Sequence, residues 1–553
     1  MNDLLKDLKK KIISLYQKKQ FQKLEKVIET LGNLDKQPDN FLMVYAAAKC
    51  QKQNPSNIDL ETAIKIFEKI YKKNKNNLEA FYNLLATSLR IKNYSYVYSH
   101  LIDRYKNYEQ DKKVISALST INVDLLNIDE ACKYAEELTQ IEPDNFKTWE
   151  HLMSISNYVN KSQKYYRDLS FKFDKSFEIK FPKYERLNKK NKKKIVLGIV
   201  SSNLKIHSVS FFLKDVLRNI DKNKFQLVAF SNLNISRHDE VTSELKTYFD
   251  KWHNTFDLSD EDFLNLVRSS DLDILIDCNG LTALNRVECI RARCAPIQIS
   301  WLGYCNTLGV ENLDYILVDP YLIKKEESKF YSEKILPMPQ IWNAMSPLKN
   351  LPDVNGLPVK RKSIFTFGSF NNFQKISNET IVVWSNILNQ TGSQLILKSS
   401  SKTSDEAVEN LKSKFSNYLK NMTKLIFLDK IPDKENHLRV YNDIDVALDT
   451  FPYPGVTTSF ESILMGVPVL TMKGFNFNSR CGESINSNLN MSEFLAENEK
   501  DYLDKAINIT KAIDHLSDIR KSLRHKALKS PLFDIKKFTN DFSLILKNLS
   551  LKN

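Results

Sequence analysis

The sequence predicts an α-helical repeat domain followed by an α/β region with two Rossmann-like halves. Apolar residues recur at helical spacing, with almost no glycine, over the first 180 residues. From Ile195 short β-rich runs alternate with helical stretches, and after a Pro- and Asn-containing loop near 337–361 that alternation restarts. Because one core rarely supports 553 residues, we place separate domains at 1–180, 195–345 and 362–540.

A repeat organises the helical domain. Asn77, Asp111 and Asn145 stand 34 residues apart, and each is predicted to open a helix. The period matches the tetratricopeptide repeat, although bulky Val97 stands where the next repeat has the small Ala131, so generic helix pairs stay an alternative. Stacked repeats bind peptides or proteins on a concave face, which predicts acceptor or partner binding; a structural cap is the alternative.

The charge pattern argues against a nucleic-acid partner. The formal charge is +14, but Lys is spread along the whole chain without interleaved Arg and aromatic residues. The basic run at 188–194 is interpreted as a solvated linker between the helical domain and the first half.

Cysteine usage and the first residues indicate the compartment. The seven cysteines include no CxxC pair, so neither a disulfide framework nor a zinc site is predicted. No run of about 18 uncharged apolar residues is present, and the first 20 residues are charged where a secretory signal needs an apolar core. We therefore expect a cytoplasmic protein without a transmembrane segment.

The alternating region predicts two parallel sheets with a cleft between them. Ligands of such sheets bind beyond the carboxyl ends of the strands, so the residues that follow each strand are candidates for chemistry. The predicted strands are IVLGIV, FQLVAF, LDILIDC, IQISWLGY and LDYILVD in the first half, and SIFTFGSF, SQLILKS, KLIFLDK, DVALDTF and VPVLTM in the second.

The strongest motif is DTFPYPGVTTSFESILMGVPVLTM at 449–472. Gly455 permits close backbone approach, and Thr457 and Thr458 open a helix whose N-terminus suits a diphosphate. Glu461 lies one turn further on, where its carboxylate can accept both ribose hydroxyls of a nucleotide. The alternative is structural: the threonines cap the helix and Glu461 completes a capping box.

Two further strand ends of the second half carry cationic candidates. Asn372 and Lys375 follow one strand, and Lys434 and His437 follow another, one helical turn apart. Lysines there can neutralise a diphosphate leaving group, and His437 can bind phosphate or base. In a lysine-rich chain any single Lys is more often a surface charge, so the prediction depends on their convergence at one sheet edge.

In the first half, His207 follows the first strand and is a candidate to contact acceptor or sugar, as a base or as a positioning group. Asp273, Asp277 and Asn279 surround another strand. No HExxH, GxSxG, Walker or GxGxxG pattern is present, and no DxD metal motif lies in a suitable loop. These absences argue against protease, hydrolase, P-loop and dinucleotide chemistry, and no metal ligand is predicted.

Longer motifs in the same order show a family resemblance. Residues 195–535 resemble the catalytic region of the O-linked N-acetylglucosamine transferase family, which includes SPINDLY-like relatives, and the repeats ahead of it match the family's arrangement. The motifs that carry the resemblance are APIQISWLGYCNTLG, LDYILVDP, YSEKILPMP, FNNFQKIS, PDKENHLR, TTSFESILMGVPVLTM and SPLFD.

The resemblance implies a GT-B fold and an inverting, metal-independent transfer from a nucleotide diphosphate sugar bound to the second half. His207 falls on the family's active-site histidine, and Lys375 is the first choice for catalysis because a cation acts most strongly as charge develops on the leaving diphosphate. By position, the resemblance implies these donor contacts: Asn372 and Lys375 to the diphosphate, Lys434 and His437 to uracil and ribose, Thr457 and Thr458 to the phosphates, and Glu461 to the ribose.

The chain also departs from the family pattern. Val456 stands where animal members have His, Glu461 where they have Asp, and Leu281 where an aromatic residue or His is found. The first two differences bear on which donor is bound, and the third on acceptor contacts. The helical domain is short beside the animal superhelix, which predicts a narrow acceptor range.

These observations favour a protein O-glycosyltransferase that moves N-acetylglucosamine from UDP-GlcNAc to Ser or Thr. The alternatives are transfer of another hexose, such as glucose or fucose, to a bacterial surface protein such as flagellin or an adhesin, and a non-catalytic repeat scaffold. No cofactor is expected beside the nucleotide-sugar substrate. The expected partners are that donor, a protein or peptide acceptor held by the repeats, and a second copy of the chain in a homodimer.

Overall fold

The computed structural model describes residues 2–33, 36–52, 54–107, 111–185, 193–348, 350–399 and 403–552. The contacts divide the chain into two compact units, Met1–Leu125 with Ser404–Val408, and Leu126–Thr403 with Glu409–Asn553. Residues 188–192 of the predicted linker at 188–194 lie outside the described residues. Within the described part of the chain, no helix has both the length and the apolar character needed to cross a membrane.

The first unit is built from amphipathic helices. Asn77 and Asp111 are N-caps, as predicted, since their side chains accept the backbone N–H groups of Ala80 and Val114. The helices of this unit are α1 (Asn2–Gln17), α2 (Phe21–Glu29), α3 (Asp39–Gln51), α4 (Asn57–Lys73), α5 (Leu78–Arg90), α6 (Tyr94–Asn107) and α7 (Lys112–Asp124).

Three more helices open the second unit: α8 (Ile128–Ile141), α9 (Phe146–Ser156) and α10 (Gln163–Lys175). Asn145 caps α9 as predicted, by accepting the N–H of Lys147. Trp149 of α9 and Phe173 of α10 are buried in one hydrophobic core with Val200 of the first sheet. The last helices of the predicted 1–180 domain therefore share their core with the first α/β half.

A seven-stranded parallel sheet forms the first half, with strand order β3-β2-β1-β4-β5-β6-β7. Its strands are β1 (Ile195–Ser201), β2 (Phe225–Ser231), β3 (Lys251–Asn254), β4 (Ile274–Asp277), β5 (Ile297–Ser300), β6 (Tyr315–Val318) and β7 (Lys334–Pro337). Its helices are α11 (Ser208–Asn219), α12 (Glu240–Lys246), α13 (Asp260–Ser269) and α14 (Val287–Arg291).

A six-stranded parallel sheet forms the second half, with strand order β10-β9-β8-β11-β12-β13. Its strands are β8 (Thr366–Ser369), β9 (Gln394–Lys398), β10 (Leu425–Leu428), β11 (Val446–Leu448), β12 (Val469–Met472) and β13 (Leu495–Ala496). The helices from here to the end are α15 (Val359–Lys362), α16 (Asn378–Thr391), α17 (Asp405–Ser416), α18 (Lys434–Arg439), α19 (Thr457–Leu464), α20 (Cys481–Asn488), α21 (Glu499–Ile509), α22 (Ile513–Leu528) and α23 (Ile535–Lys552).

All ten strands that the sequence predicted are present, which confirms the predicted fold class of helical repeats followed by two α/β halves. Three edge strands were missed: β3, β7 and β13. The sequence of β3, KWHN, is short, polar and largely exposed, so it lacks the apolar run that identifies a buried parallel strand. The strand at LDILIDC is therefore the fourth of the first sheet.

Buried polar contacts join the two halves. The Arg480 guanidinium forms a bidentate ion pair with Glu327, at 2.5 and 2.8 Å. The Ser484 hydroxyl donates to Asp319 at 2.5 Å, and burial raises the pKa of that carboxyl to about 7. Because Arg480, Ser484 and Asp319 are polar or charged and almost fully enclosed, separating the halves would leave them without partners.

Candidate functional site

The loop between β11 and α19, residues 449–456, is built around one buried carboxylate. Asp449 Oδ1 accepts the backbone N–H of Gly455 at 2.7 Å and the Asn371 amide at 3.1 Å, while Oδ2 accepts the Thr471 hydroxyl at 2.9 Å. Burial raises the pKa of Asp449 to about 6, although these hydrogen bonds favour its ionised form. The Asp449 carboxylate thus links the loop backbone at Gly455 to Asn371 and Thr471.

Gly455 is required in this loop for lack of space. A Cβ at this position would lie 2.4 Å from Thr458 Oγ1 and 2.6 Å from Asn371 Oδ1. The same two groups form a 2.6 Å hydrogen bond in which Thr458 donates. Any side chain at 455 would therefore separate the loop from the strand end that carries Asn371.

Helix α19 begins at Thr457 without a side-chain cap. Ser459 is the first residue whose N–H bonds back to Val456, and within the described residues the N–H groups of Thr457 and Thr458 have no backbone acceptor. The structural alternative, in which the threonines cap the helix and Glu461 closes a capping box, is not what the structure has. The free N–H groups and the helix dipole make this end suitable for an anion.

Lys375 lies against the same loop. Its ammonium donates to the Pro454 carbonyl at 2.8 Å and lies 3.8 Å from the centre of the Tyr453 ring. Burial lowers the pKa of Lys375, and the nearby Asp449 carboxylate opposes that shift. Asn372, by contrast, supports the turn before Lys375, since its Oδ1 accepts the N–H of Gln374 at 3.2 Å.

Lys434, His437 and Glu461 are brought together, as their strand-end positions predicted. His437 Nε2 lies 2.9 Å from Glu461 Oε2, and the Lys434 ammonium bonds to Oε1. Burial opposes ionisation of Glu461, but the hydrogen bond from His437 and the charge of Lys434 outweigh it and lower the pKa of Glu461 to about 2. The carboxylate is therefore ionised, oriented and enclosed.

Four residues of this region were missed from the sequence: Asn371, Lys398, Tyr441 and Asp449. Tyr441 lies 3.3 Å from Glu461 and 3.1 Å from the Thr458 carbonyl, so it links the two ends of the first turn of α19. Lys398 bonds to His437 Nδ1. The signal available for Asn371, Lys398 and Asp449 was their position at or just after the carboxyl ends of buried strands, which is where ligands of such sheets bind.

His207 is the N-cap of α11 in the first half. Its Nδ1 accepts the N–H of Val209 at 3.2 Å, and burial, with the charge of Lys205, lowers the pKa of the ring. A neutral ring whose Nδ1 accepts carries its proton on Nε2. The nitrogen that remains available is thus a hydrogen-bond donor, whereas a general base would need it unprotonated.

The helix that His207 caps packs against the second half. Phe212 of α11 contacts Phe460 of α19, with ring centres 5.2 Å apart, and the Lys434 ammonium lies 5.7 Å from the Phe211 ring. This packing brings α11 next to the Glu461 cluster.

The other first-half candidates have structural roles. Asp277 accepts the N–H groups of Asn279 and Gly280, and burial raises its pKa to about 6. Asp273 accepts the N–H of Val196 at the opposite end of the sheet. Leu281, whose departure from the family pattern bears on acceptor contacts, is 7% exposed and belongs to the core of the first half. Among the described residues no group of His, Cys, Asp and Glu could hold a metal ion.

Comparisons with known proteins agree with this architecture. A mutant O-GlcNAc transferase of Thermobaculum terrenum superposes with a TM-score of 0.78 at 22% identity, covering 93% of this chain and 98% of that one. At this identity the match shows the fold alone, and the fold is the GT-B arrangement that the resemblance implied.

Curated plant proteins are similar in sequence. The Solanum lycopersicum protein named "Probable UDP-N-acetylglucosamine--peptide N-acetylglucosaminyltransferase SPINDLY" is 29% identical over 422 residues, which cover 74% of this chain and 45% of the tomato protein. The Arabidopsis thaliana protein named "Probable UDP-N-acetylglucosamine--peptide N-acetylglucosaminyltransferase SEC" is 24% identical over 358 residues, 62% of this chain and 36% of its own length. The chain thus matches less than half the length of these relatives.

The profile of Glycosyl transferase family 41 matches residues 168–346 and 354–542, more than half of the chain, and it covers both sheets and every site residue described above. The chain therefore belongs to glycosyl transferase family 41.

Proposed function

We propose that the chain is an inverting protein O-glycosyltransferase that transfers N-acetylglucosamine from UDP-GlcNAc to Ser or Thr of an acceptor protein. The observation that carries this proposal is the meeting of Lys375 with the uncapped start of α19 at one loop. A cation and a helix N-terminus together can stabilise the charge that develops on a leaving diphosphate. The names of the plant relatives support the donor and the protein acceptor.

In this mechanism each group has a distinct task. Lys375 and the N–H groups of Thr457 and Thr458 bind the diphosphate, and Glu461 with His437 orients the nucleoside. The acceptor hydroxyl attacks the anomeric carbon as the bond to the diphosphate breaks, so the configuration inverts. The hydroxyl proton passes to a phosphate oxygen of the UDP that leaves. His207 donates from Nε2 and positions sugar or acceptor, because its Nδ1 is bonded to Val209. No step requires a metal.

A second candidate function is transfer of a different hexose, glucose or fucose, to a bacterial surface protein. Val456 and Glu461 are the reason for this second candidate, because both departures from the animal pattern lie at the start of α19. The same site would serve, with a different nucleotide or sugar.

A donor panel tests both candidates. The purified chain is incubated with UDP-GlcNAc, UDP-glucose or GDP-fucose and with acceptor proteins, and both nucleotide release and the mass added to the acceptor are measured. Turnover and a mass increase with UDP-GlcNAc support the first candidate, and selective use of another donor supports the second. Absence of turnover with every donor would favour the non-catalytic scaffold. The cytoplasmic location and the homodimer stay predictions, which fractionation and sedimentation velocity would test.

A further inference from the structure

Lys398 is a buried cation at the edge of the donor site. It is the last residue of β9, where it follows three apolar residues, 395–397, and it is 1% exposed. Its ammonium bonds to His437 Nδ1 and lies 4.9 Å from the centre of the Phe370 ring. In the part of the chain that the structure describes, Lys398 forms no ion pair with a carboxylate.

Such an arrangement is costly for folding. An enclosed ammonium without a carboxylate partner loses hydration that one hydrogen bond and one aromatic face only partly replace. Burial accordingly lowers the pKa of Lys398 to about 8; Glu461 opposes this shift, and Lys434 and Lys430 add to it. A methionine of similar length would avoid the cost, so the lysine at this position calls for a role beyond packing.

The contact with His437 indicates that role. The protonated ammonium of Lys398 can only donate, so His437 Nδ1 accepts and carries no proton. The ring proton is then on Nε2, which donates to Glu461 Oε2 at 2.9 Å. Without Lys398 the ring could adopt the other tautomer or rotate, and Nε2 would no longer be held as a donor toward the carboxylate.

We propose that Lys398 is a positioning residue for the donor. It holds His437 in the Nε2-protonated form and thereby orients Glu461. Its positive charge is stabilised when an anionic nucleotide binds beside it. This inference rests on the proposed function, because it assigns Lys398 to the nucleotide-binding site. The charged and titratable groups facing it are Glu461 from α19, Lys434 and His437 from α18, Lys430 from the preceding loop, and Tyr441 beyond α18.

The charge has a consequence for pH dependence. Binding of an anion beside Lys398 raises its pKa, so the complex takes up protons at pH values near and above 8. UDP affinity should therefore be highest below pH 8 and fall as the pH rises to 9. Part of this dependence also comes from Lys375, so the effect of Lys398 is the difference between the parent and a Lys398 variant.

The experiment uses calorimetric titration with UDP and with GDP at pH 7, 8 and 9 on the full chain and on Lys398→Met, Lys398→Arg and the exposed control Lys420→Met. We expect Lys398→Met to bind the preferred nucleotide about tenfold more weakly at pH 7, to take up fewer protons on binding, and to show a shallower pH dependence. Lys398→Arg, which keeps the charge, should recover most of the affinity, and Lys420→Met should match the parent.

Thermal unfolding without nucleotide separates this role from a structural one. If Lys398 serves the donor, Lys398→Met should unfold at the same or a higher temperature than the parent while it binds nucleotide more weakly. In protein with ¹⁵N-labelled histidine, the resonance assigned through His437→Gln should report Nε2 protonation in the parent and mixed tautomers in Lys398→Met.

Three results overturn the proposal. If the parent binds nucleotide and Lys398→Met binds it equally well with the same proton uptake, the inference fails while the proposed function stands. If Lys398→Met unfolds at a lower temperature and the loss of binding follows that instability, the lysine is structural. If the parent binds neither UDP nor GDP, the proposed donor function fails and the assignment of Lys398 fails with it.

Discussion

The predicted site residues of the two α/β halves are held in different ways. In the second half Asn371 bonds to both Asp449 and Thr458, and Glu461 is held by His437 and Lys434. In the first half His207 bonds to its own helix, and the neighbouring loops expose apolar side chains: Ile206 at 51%, Ile235 at 60% and Leu284 at 45%.

The difference suggests a division of labour. Fixed charges and hydrogen bonds suit a ligand of constant chemistry, such as a nucleotide diphosphate, because they need no rearrangement when it binds. Exposed apolar side chains suit ligands that vary in sequence, such as acceptor polypeptides. We therefore expect large effects on the donor from changes in the second half, and smaller, acceptor-specific effects from changes in the first.

The largest effect should come from Lys375→Met. Removing the cation beside the loop at 449–456 takes away stabilisation of the leaving diphosphate, so the rate of transfer should fall by about 10²- to 10³-fold. Rates with saturating donor would be measured beside circular dichroism and the melting temperature. A variant that melts like the parent yet keeps its full rate would show that the charge at 375 has no part in the chemistry.

Gly455→Ala should act mainly on donor binding. Its Cβ would clash with Thr458 Oγ1 and Asn371 Oδ1, which separates the loop from β8 at a cost of about 1–3 kcal/mol. Donor affinity should fall about tenfold in calorimetry. Gly356→Ala is the matched control, because a Cβ there meets nothing within 4 Å. Equal donor affinity of the two variants would contradict the tight packing of the loop at 449–456.

Two variants of His207 separate its capping of α11 from its role in transfer. His207→Asn keeps a side chain that can cap α11 but removes the Nε2 donor, so transfer should fall about tenfold with little loss of stability. His207→Ala should in addition lose about 1 kcal/mol of the unfolding free energy. A normal rate of transfer in His207→Asn would exclude a role in transfer for the hydrogen bond that Nε2 donates.

The pH dependence of His207 offers a second check. The lowered pKa means that the unfolded chain binds more protons than the folded one near pH 6.5. The stability from His207 is therefore present above pH 6.5 and is lost as the pH falls through the folded pKa. Chemical denaturation of His207→Asn should show a weaker loss of stability between pH 7 and 5 than the parent.

The smallest effect should come from the exposed apolar residues Ile206, Ile235 and Leu284. Ile235→Ser should raise the KM for a protein acceptor a few-fold, about 1 kcal/mol or less, and leave donor affinity unchanged. Leu544→Ser, 57% exposed on α23, is the control with similar exposure. A change in donor affinity in Ile235→Ser would contradict the division between the halves.

Much of this account could be predicted from the sequence. Apolar strands such as IVLGIV and LILK identify a buried parallel sheet, and strand-end positions placed Lys434, His437 and Glu461 together. The 34-residue spacing located three helix caps, because an Asn or Asp that accepts an N–H group has a recognisable position.

Other features depend on tertiary contacts that no local pattern encodes. The edge strand KWHN forms because β2 offers a partner, and its own composition does not favour it. Lys398 could not be told from the many surface lysines until its burial was known. Likewise, the available nitrogen of His207 is set by a bond to Val209, which spacing alone does not reveal.

The most direct test of the account is hydrogen–deuterium exchange with and without saturating UDP, read by peptide mass spectrometry. The account predicts that UDP protects peptides covering 371–375, 434–441 and 449–461, with the largest change at the start of α19, and leaves those covering 232–238 and 282–286 unchanged. Protection confined to the strand ends of the first half would contradict the claim that the second half binds the donor.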